Sequence, residues 1–329
     1  MNRLELPTPF PVGPVNVYLA EGGPGPEEKG LILVDVGPRF PPALEALEQG
    51  LAGHGYTLQD VRCIIVTHAH ADHFGLAAEV ARRSGAQVWT HPRSRPWLED
   101  YREERERRYA FYTDLLHRAG VPEVVYQAVL RSNRGLARFA EAVPVSRTLD
   151  EGDVVFLDGQ PWQVLHLPGH AGGLIGLYQP QSRLFLSSDH LLRDITSNAV
   201  VEPPPVDATR HQPSLWQYLR SLERVRDMDI ALVLPGHGPP ITDHRTLIEE
   251  RFAFHQERKA RILALLRDGA TTAYQVGQRL FGDLPPIDAF LAISEVWGHL
   301  EVLQMDGLVT AEDEGGITHW RPVAGASGA

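Results

Sequence analysis

Thr67-His68-Ala69-His70-Ala71-Asp72-His73 places three imidazoles and a carboxylate within six residues, straight after the β-branched run Cys63-Ile64-Ile65-Val66. The run predicts a strand over 62–67 that delivers His68 and His70 at its exit. A helix is expected from about residue 74 to 83, with Gly85 as its stop signal, so Asp72 and His73 stand at a helix N-terminus. Neutral imidazole nitrogens and carboxylates are the ligands that Zn²⁺ takes at roughly 2.0 to 2.2 Å, and two nearby ions can share one bridging water. The alternative is a polar turn in which Asp72 caps the helix and the histidines are solvated. Such spacing seldom has a purely structural cause.

Three later stretches repeat the arrangement with other letters. Trp162-Gln163-Val164-Leu165-His166-Leu167 reads as a strand and runs into Pro168-Gly169-His170; Leu184-Phe185-Leu186-Ser187-Ser188 ends on Asp189; Ile230-Ala231-Leu232-Val233-Leu234 precedes Pro235-Gly236-His237. Each candidate ligand follows an apolar strand, so all can meet on one edge of a sheet system, where loops on a rigid scaffold carry function. A histidine after Pro-Gly is by itself more often a turn residue.

The order His68, His70, Asp72, His73, then His170, Asp189 and His237, preceded by Leu33-Val34-Asp35-Val36-Gly37, resembles the motif set of the metallo-β-lactamase superfamily and spans residues 12 to 240 apart from one insertion. The resemblance implies an α/β fold, an αββα sandwich with a two-metal site between its sheets. It implies that His68, His70 and His170 hold one metal, that Asp72, His73 and His237 hold the other, and that Asp189 bridges both. Asp35 would support the site without being a ligand. The implied cofactors are two divalent metal ions, zinc by default because the ligands suit it, with iron or manganese as alternatives. Asp72 and Asp189 are the catalytic candidates. A shared water would have its pKa depressed from about 15.7 to near neutrality, and the resulting hydroxide would attack an electrophilic carbonyl or phosphorus.

Composition narrows the setting. The chain of 329 residues has room for about two domains. No stretch approaches the 18 or more apolar residues of a membrane span, and residues 1–7 lack the apolar core of a signal peptide, so a cytoplasmic protein with no membrane partner is expected. Cys63 is the single cysteine, expected in the core. Positive charge is almost wholly arginine, with Lys29 and Lys259 the only lysines, which points to biased genome composition. A net charge of −11 opposes general affinity for nucleic acid.

The remaining chain is expected to form a hairpin over 12–37 with a Gly/Pro-rich turn from 22 to 30, a helix over 41–51, a strand over 88–90, and helices over 99–117 and 122–130. The insertion at 97–145 carries eight arginines and eight acidic residues. It reads either as a salt-bridged helical pair packed on the sandwich or as a lid over the substrate entrance. Of the other histidines, His190 is expected behind the site and His166 in the core, while positions 54, 91, 117, 211, 244, 255, 299 and 319 have no ligand spacing.

We divide the chain at 1–245, a catalytic domain, and 246–329, a small C-terminal domain whose helices over 247–266, 272–280 and 286–305 and wing-like strands resemble a winged helix. Between His255 and Arg321 there are six basic residues against ten acidic. The third helix, which bears Asp288, Glu295, Glu301 and Asp306, has no Arg or Lys. A major-groove reader needs basic side chains, so DNA binding is not expected. The expected partner is a small-molecule substrate, with a homodimer contact as a further role for the domain.

The leading expectation is hydrolysis of a thioester or ester, as in the glyoxalase II-like branch, although the segment that binds glutathione there is replaced here by the winged-helix-like region. A phosphodiesterase or ribonuclease, a mononuclear-iron sulfur dioxygenase and a metal-stabilised binding protein are the alternatives. Asp189 stands where secreted β-lactamases carry a cysteine, which argues against antibiotic hydrolysis.

Overall fold

A computed structural model describes residues 1–22, 29–205 and 212–324. One sheet contains β1 (Asn2–Leu6), β2 (Val15–Glu21), β3 (Leu31–Val34), β4 (Val61–Val66), β5 (Gln87–Thr90) and β6 (Arg147–Thr148), in that spatial order. The second contains β7 (Val154–Leu157), β8 (Gln160–His166), β9 (Ile175–Gln179), β10 (Leu184–Ser188) and β11 (Leu232–Pro235), ordered β11-β10-β9-β8-β7. Its pairs are antiparallel except β10 with β11.

Strands apolar on both faces explain the layering. In β3 and β4, Ile32, Val34, Cys63 and Ile65 point into the core between the sheets, where they meet Trp162, Val164, Ile175 and Leu177. Their alternates Leu31, Leu33, Ile64 and Val66 point outward beneath α1 (Pro41–Gly53). Outside the second sheet, Leu215, Leu222 and Val225 pack with Leu247 and Ile248 over Phe185 and Val233. The result is an αββα sandwich.

The helix expected over 74–83 is two pieces, α2 (Ala71–Phe74) and α3 (Ala77–Ser84). Leu76 donates its backbone N–H to the Gly37 carbonyl (3.0 Å), outside the helical ladder. Gly75 lies so close to Phe139 O, Arg39 N and Ala71 O that a Cβ would strike backbone. That break separates the turn bearing Asp72 and His73 from the covering helix.

The insertion forms α4 (Arg95–Glu99), α5 (Tyr101–Arg118) and α6 (Glu123–Leu136). Trp97 and Tyr101 rest on the first sheet's outer core, but Leu115, Leu116, Val129 and Leu130 pack elsewhere. They share a core with Ile262, Leu266, Ile293, Val296 and Leu300 from the C-terminal helices. The pair thus packs chiefly on the C-terminal part.

After α7 (Ser214–Arg226) come α8 (His244–Arg267), α9 (Ala273–Phe281), α10 (Pro286–Met305) and the antiparallel pair β12 (Val309–Glu314) and β13 (Ile317–Pro322). Glu295 of α10 is paired with Arg258 (3.0 Å), and Asp306, at the C-cap of α10, with Lys259 (3.0 Å). Among the described residues no helix is long and apolar enough to cross a membrane.

Two buried histidines join α8 to α10. His255 Nδ1 lies 3.1 Å from His299 Nε2, and His299 Nδ1 donates to Glu295 O (2.7 Å). Burial pushes the pKa of His255 down to about 3, helped by His299, and burial pushes His299 down to about 4. The unfolded chain, with histidine near 6.5, binds protons that the folded pair refuses, so stability is lost as pH falls below 6.5. We predict that lowering the pH from 7 to 5 costs wild type more than His299→Asn, by about 1 kcal/mol or more in urea unfolding. Equal losses would show that the pair does not set the acid limit.

Candidate metal centre

The candidate ligands leave the C-terminal ends of their strands: His68, His70, Asp72 and His73 after β4, His170 after β8, Asp189 after β10 and His237 after β11. Backbone and side-chain bonds lock the two sheets together here. Ile175 donates its N–H to Thr67 O (2.9 Å), Asn16 donates to Gly236 O (2.7 Å), and Thr67 Oγ1 lies 2.7 Å from Ser188 Oγ. Three groups of ligand-type atoms converge, each within 4.8 Å: His68, His70 and His170; His68, His73 and Asp189; and Asp72, His73 and His237. All seven residues singled out in the sequence fall in these groups.

Most rings are held from behind. His237 Nδ1 donates to Pro14 O (2.7 Å), and His170 Nδ1 to Asn198 O (3.0 Å). His73 Nδ1 meets Asp35 Oδ2 (2.8 Å), and His68 Nδ1 meets Thr67 Oγ1 (3.1 Å). A histidine held through one nitrogen presents the other as an oriented ligand. Asp35 also accepts from Thr67 N and Thr67 Oγ1, both at 2.8 Å. It therefore backs the cluster and does not enter it. Asp35 and Ser188 have φ of 59° and 48°, left-handed conformations at two strand exits, where strain is tolerated because surrounding bonds enforce it.

The donor set fits cations. His68 Nε2 and His170 Nε2 each lie 3.0 Å from His70 Nδ1. With His170 Nδ1 donating to Asn198 O, its Nε2 is a lone pair in the neutral ring, and His70 Nδ1 has at most one proton for the two nitrogens it faces, so three ring nitrogens converge on one point with fewer protons than contacts. His73 Nε2, His237 Nε2 and Asp189 Oδ1 are buried with no hydrogen-bond partner. Buried polar atoms are nearly always satisfied, and a shared cation would satisfy these. Asp189 Oδ1 lies 3.4 Å from His73 Nε2, and Oδ2 lies 3.6 Å from both His170 Nε2 and His237 Nε2, so this carboxylate faces both sides of the cluster. Gly236 makes that possible, since a Cβ there would strike Asp189 Oδ1.

Protonation divides the site. Burial and mutual repulsion hold His68 well below its usual range, and burial brings His70 down to about 4, so both are neutral donors near pH 7. Burial opposes charge on His73 and His237 too and is the largest single influence, but the carboxylates together outweigh it and raise both, Asp189 with Asp35 and Asp72 for His73, and Asp189 with Asp72 for His237. Asp72, although buried, is lowered to about 2 by His73 and His237. The raised pair marks where the cluster calls for positive charge.

A cleft of about 910 Å³ opens beside His70, lined among the described residues by the 91–96 and 169–173 loops, α5 and the 202–205 segment. Glu202 accepts from Arg108 Nη1 (2.7 Å) and from Gly172 N (2.7 Å) and so ties α5 to the loop after His170. His166 is half-buried on the cleft wall, not in the core. It stacks on His91 at 4.0 Å. His91, Arg93, Arg108 and Glu202 carry no spacing signal in the sequence; they meet only in three dimensions. His190 is fully buried against Tyr218 (ring centroids 5.6 Å apart) and belongs to none of the ligand groups. His211 lies outside the described residues.

The sandwich and its histidine and aspartate cluster define a metallo-β-lactamase-fold protein. A profile of the Metallo-beta-lactamase superfamily matches residues 10–237, and the chain belongs to that superfamily. It is similar to the probable metallo-hydrolase YqjP of Bacillus subtilis (strain 168), 34% identical over 97% of this chain and 96% of that one. A metallo-beta-lactamase family protein of Thermus thermophilus superposes with a TM-score of 0.80 at 28% identity over 98% of both chains. A partial likeness, 22% identical over 51% of this chain and 64% of the other, links it to the hydroxyacylglutathione hydrolase GloC of Haemophilus influenzae.

Proposed function

We propose that this protein is a binuclear metal-dependent hydrolase that cleaves a thioester or ester of a small molecule in the cytoplasm. The observation that carries the reading is the convergence of ring nitrogens of His68, His70 and His170 beside the unsatisfied His73, His237 and Asp189 atoms. His68, His70 and His170 would hold one ion and Asp72, His73 and His237 the other, with Asp189 shared. When bound, the two ions supply Lewis acidity and lower the pKa of coordinated water toward neutrality. Zinc suits the ligands best, and the likeness to a hydroxyacylglutathione hydrolase supports a thioester.

The chain's own groups do the rest. Asp72, 3.5 Å from His237 Nε2 and held ionised, is placed to take a proton and pass it to the leaving group. Asp35 and Thr67 keep His73 and His68 oriented. Residues 246–329 are read as a winged-helix-like unit that shapes the cleft through its shared core with α5 and α6. Its paired acidic residues and the buried apolar side of α10 disfavour DNA as a partner.

The test is metal analysis of the purified protein, followed by thioester and phosphodiester substrates with and without chelator. We expect about two metals per chain and thioester cleavage abolished by chelator and restored by zinc. Chelator-sensitive phosphodiester cleavage alone would replace the reading with a nuclease. One iron without hydrolysis would replace it with dioxygenase chemistry.

A further inference from the structure

The cleft's cations are unequally committed. Arg107 makes two bonds to Glu104 (2.8 and 2.6 Å), and Arg108 is shared between Glu104 and Glu202 while stacked on Trp97 at 4.4 Å. Arg93 is different. Its side chain is exposed, and among the described residues it has no carboxylate partner, although its charge is felt by both His91 and His166.

His166 beside it has a defined polarity. Its Nε2 lies 2.9 Å from the Gly172 carbonyl, which can only accept, so Nε2 carries the proton. One face of the ring is covered by His91, whose own Nδ1 accepts from Arg93 N (3.1 Å) and whose Nε2 faces Asp150 at 3.4 Å. Burial lowers the pKa of His166, keeping the ring neutral near pH 7. What the ring has left to offer is the Nδ1 lone pair, which has no partner among the described residues. The cleft wall leading from His70 therefore presents a fixed hydrogen-bond acceptor and an uncommitted cation.

We propose that this cleft binds the thiol half of the thioester, His166 Nδ1 accepting from an amide N–H along it and Arg93 pairing with an anionic group at its end. The inference rests on the thioester reading and names the leaving group: an extended, amide-bearing thiol ending in carboxylate or phosphate. A charge-assisted bond to Arg93, exposed in the free protein and covered once a thiol lies in the cleft, favours such a thiol over a neutral one by about 10-fold or more.

The experiment compares kcat/KM for three thioesters of one acyl group, on glutathione, on a phosphate-bearing pantetheine and on neutral N-acetylcysteamine. Wild type is set against Arg93→Ala and Arg93→Lys, with melting curves to confirm folding. The expected result is a wild-type preference for one anionic thiol that falls about 10-fold or more in Arg93→Ala, through KM, and is partly regained in Arg93→Lys. Which anionic thiol loses more identifies the anion. If wild type cleaves all three and Arg93→Ala lowers them alike, the assignment of Arg93 is overturned while the thioester reading stands. If wild type cleaves none, both fall together.

His166→Phe keeps a ring to stack on His91 and removes the acceptor. It should lower kcat/KM for the three amide-bearing thiols relative to an S-ethyl thioester. An equal loss on the S-ethyl compound would remove His166 from the proposal.

Discussion

Asp189→Asn should lose about 10³-fold or more in kcat and at least one of the two metals proposed for the site. Asp189 directs Oδ1 at His73 Nε2 (3.4 Å) and Oδ2 at His170 and His237 Nε2 (3.6 Å each). One carboxylate thus serves both groups with two negatively charged oxygens. Asparagine keeps the shape but offers one neutral oxygen and an amide whose protons point where a cation should sit. Several kcal/mol of electrostatic stabilisation disappear with the charge, and each 1.36 kcal/mol is tenfold in rate. The variant should still fold, because Gly236 leaves room for the isosteric side chain. Metal analysis and kcat on one sample decide it: full activity with full metal content would mean that Asp189 is not the shared ligand.

The second large effect lies at the Arg108 and Glu202 pair. Both side chains are mostly buried, at 17% and 15% exposure, with 2.7 Å between Nη1 and Oε1. Burial works against each charge, yet each is held ionised by its partner, Arg108 raised and Glu202 lowered. Arg108→Ala leaves the carboxylate buried with only the Gly172 N–H and removes the stack on Trp97. Breaking a buried pair from one side costs on the order of 3 kcal/mol. Adding Glu202→Gln should return part of that, since no stranded charge remains. Urea unfolding of the two single variants and the double closes the cycle. A loss below about 0.5 kcal/mol in Arg108→Ala would show the pair to be a surface contact with no structural role.

How much of this was readable in advance differs by element. The strands that carry ligands were legible because their apolar runs, such as Cys63-Ile64-Ile65-Val66, are buried on both faces and stand out from the polar residues that follow. β1 was not, because Asn2-Arg3-Leu4-Glu5-Leu6 buries only Leu6 and is held in place by its pairing with β2. The split between α2 and α3 escaped because it depends on Gly37 and Phe139, which are distant in sequence and press on this turn. The packing of the insertion against α8 and α10 escaped for the same reason.

By itself the sequence determined the sandwich, its family and which seven side chains could serve metals, because ligand chemistry is local: it depends on residue type and on the strand exit that presents it. Only the tertiary structure decided which ring nitrogen faces the cluster, through partners as remote as Pro14 for His237 and Asn198 for His170. It also decided that His91, Arg93 and His166 share one wall while Arg108 is engaged by Glu202. Spacing along a chain says nothing about which charges neutralise each other across a cleft, and that pairing is what leaves Arg93 uncommitted.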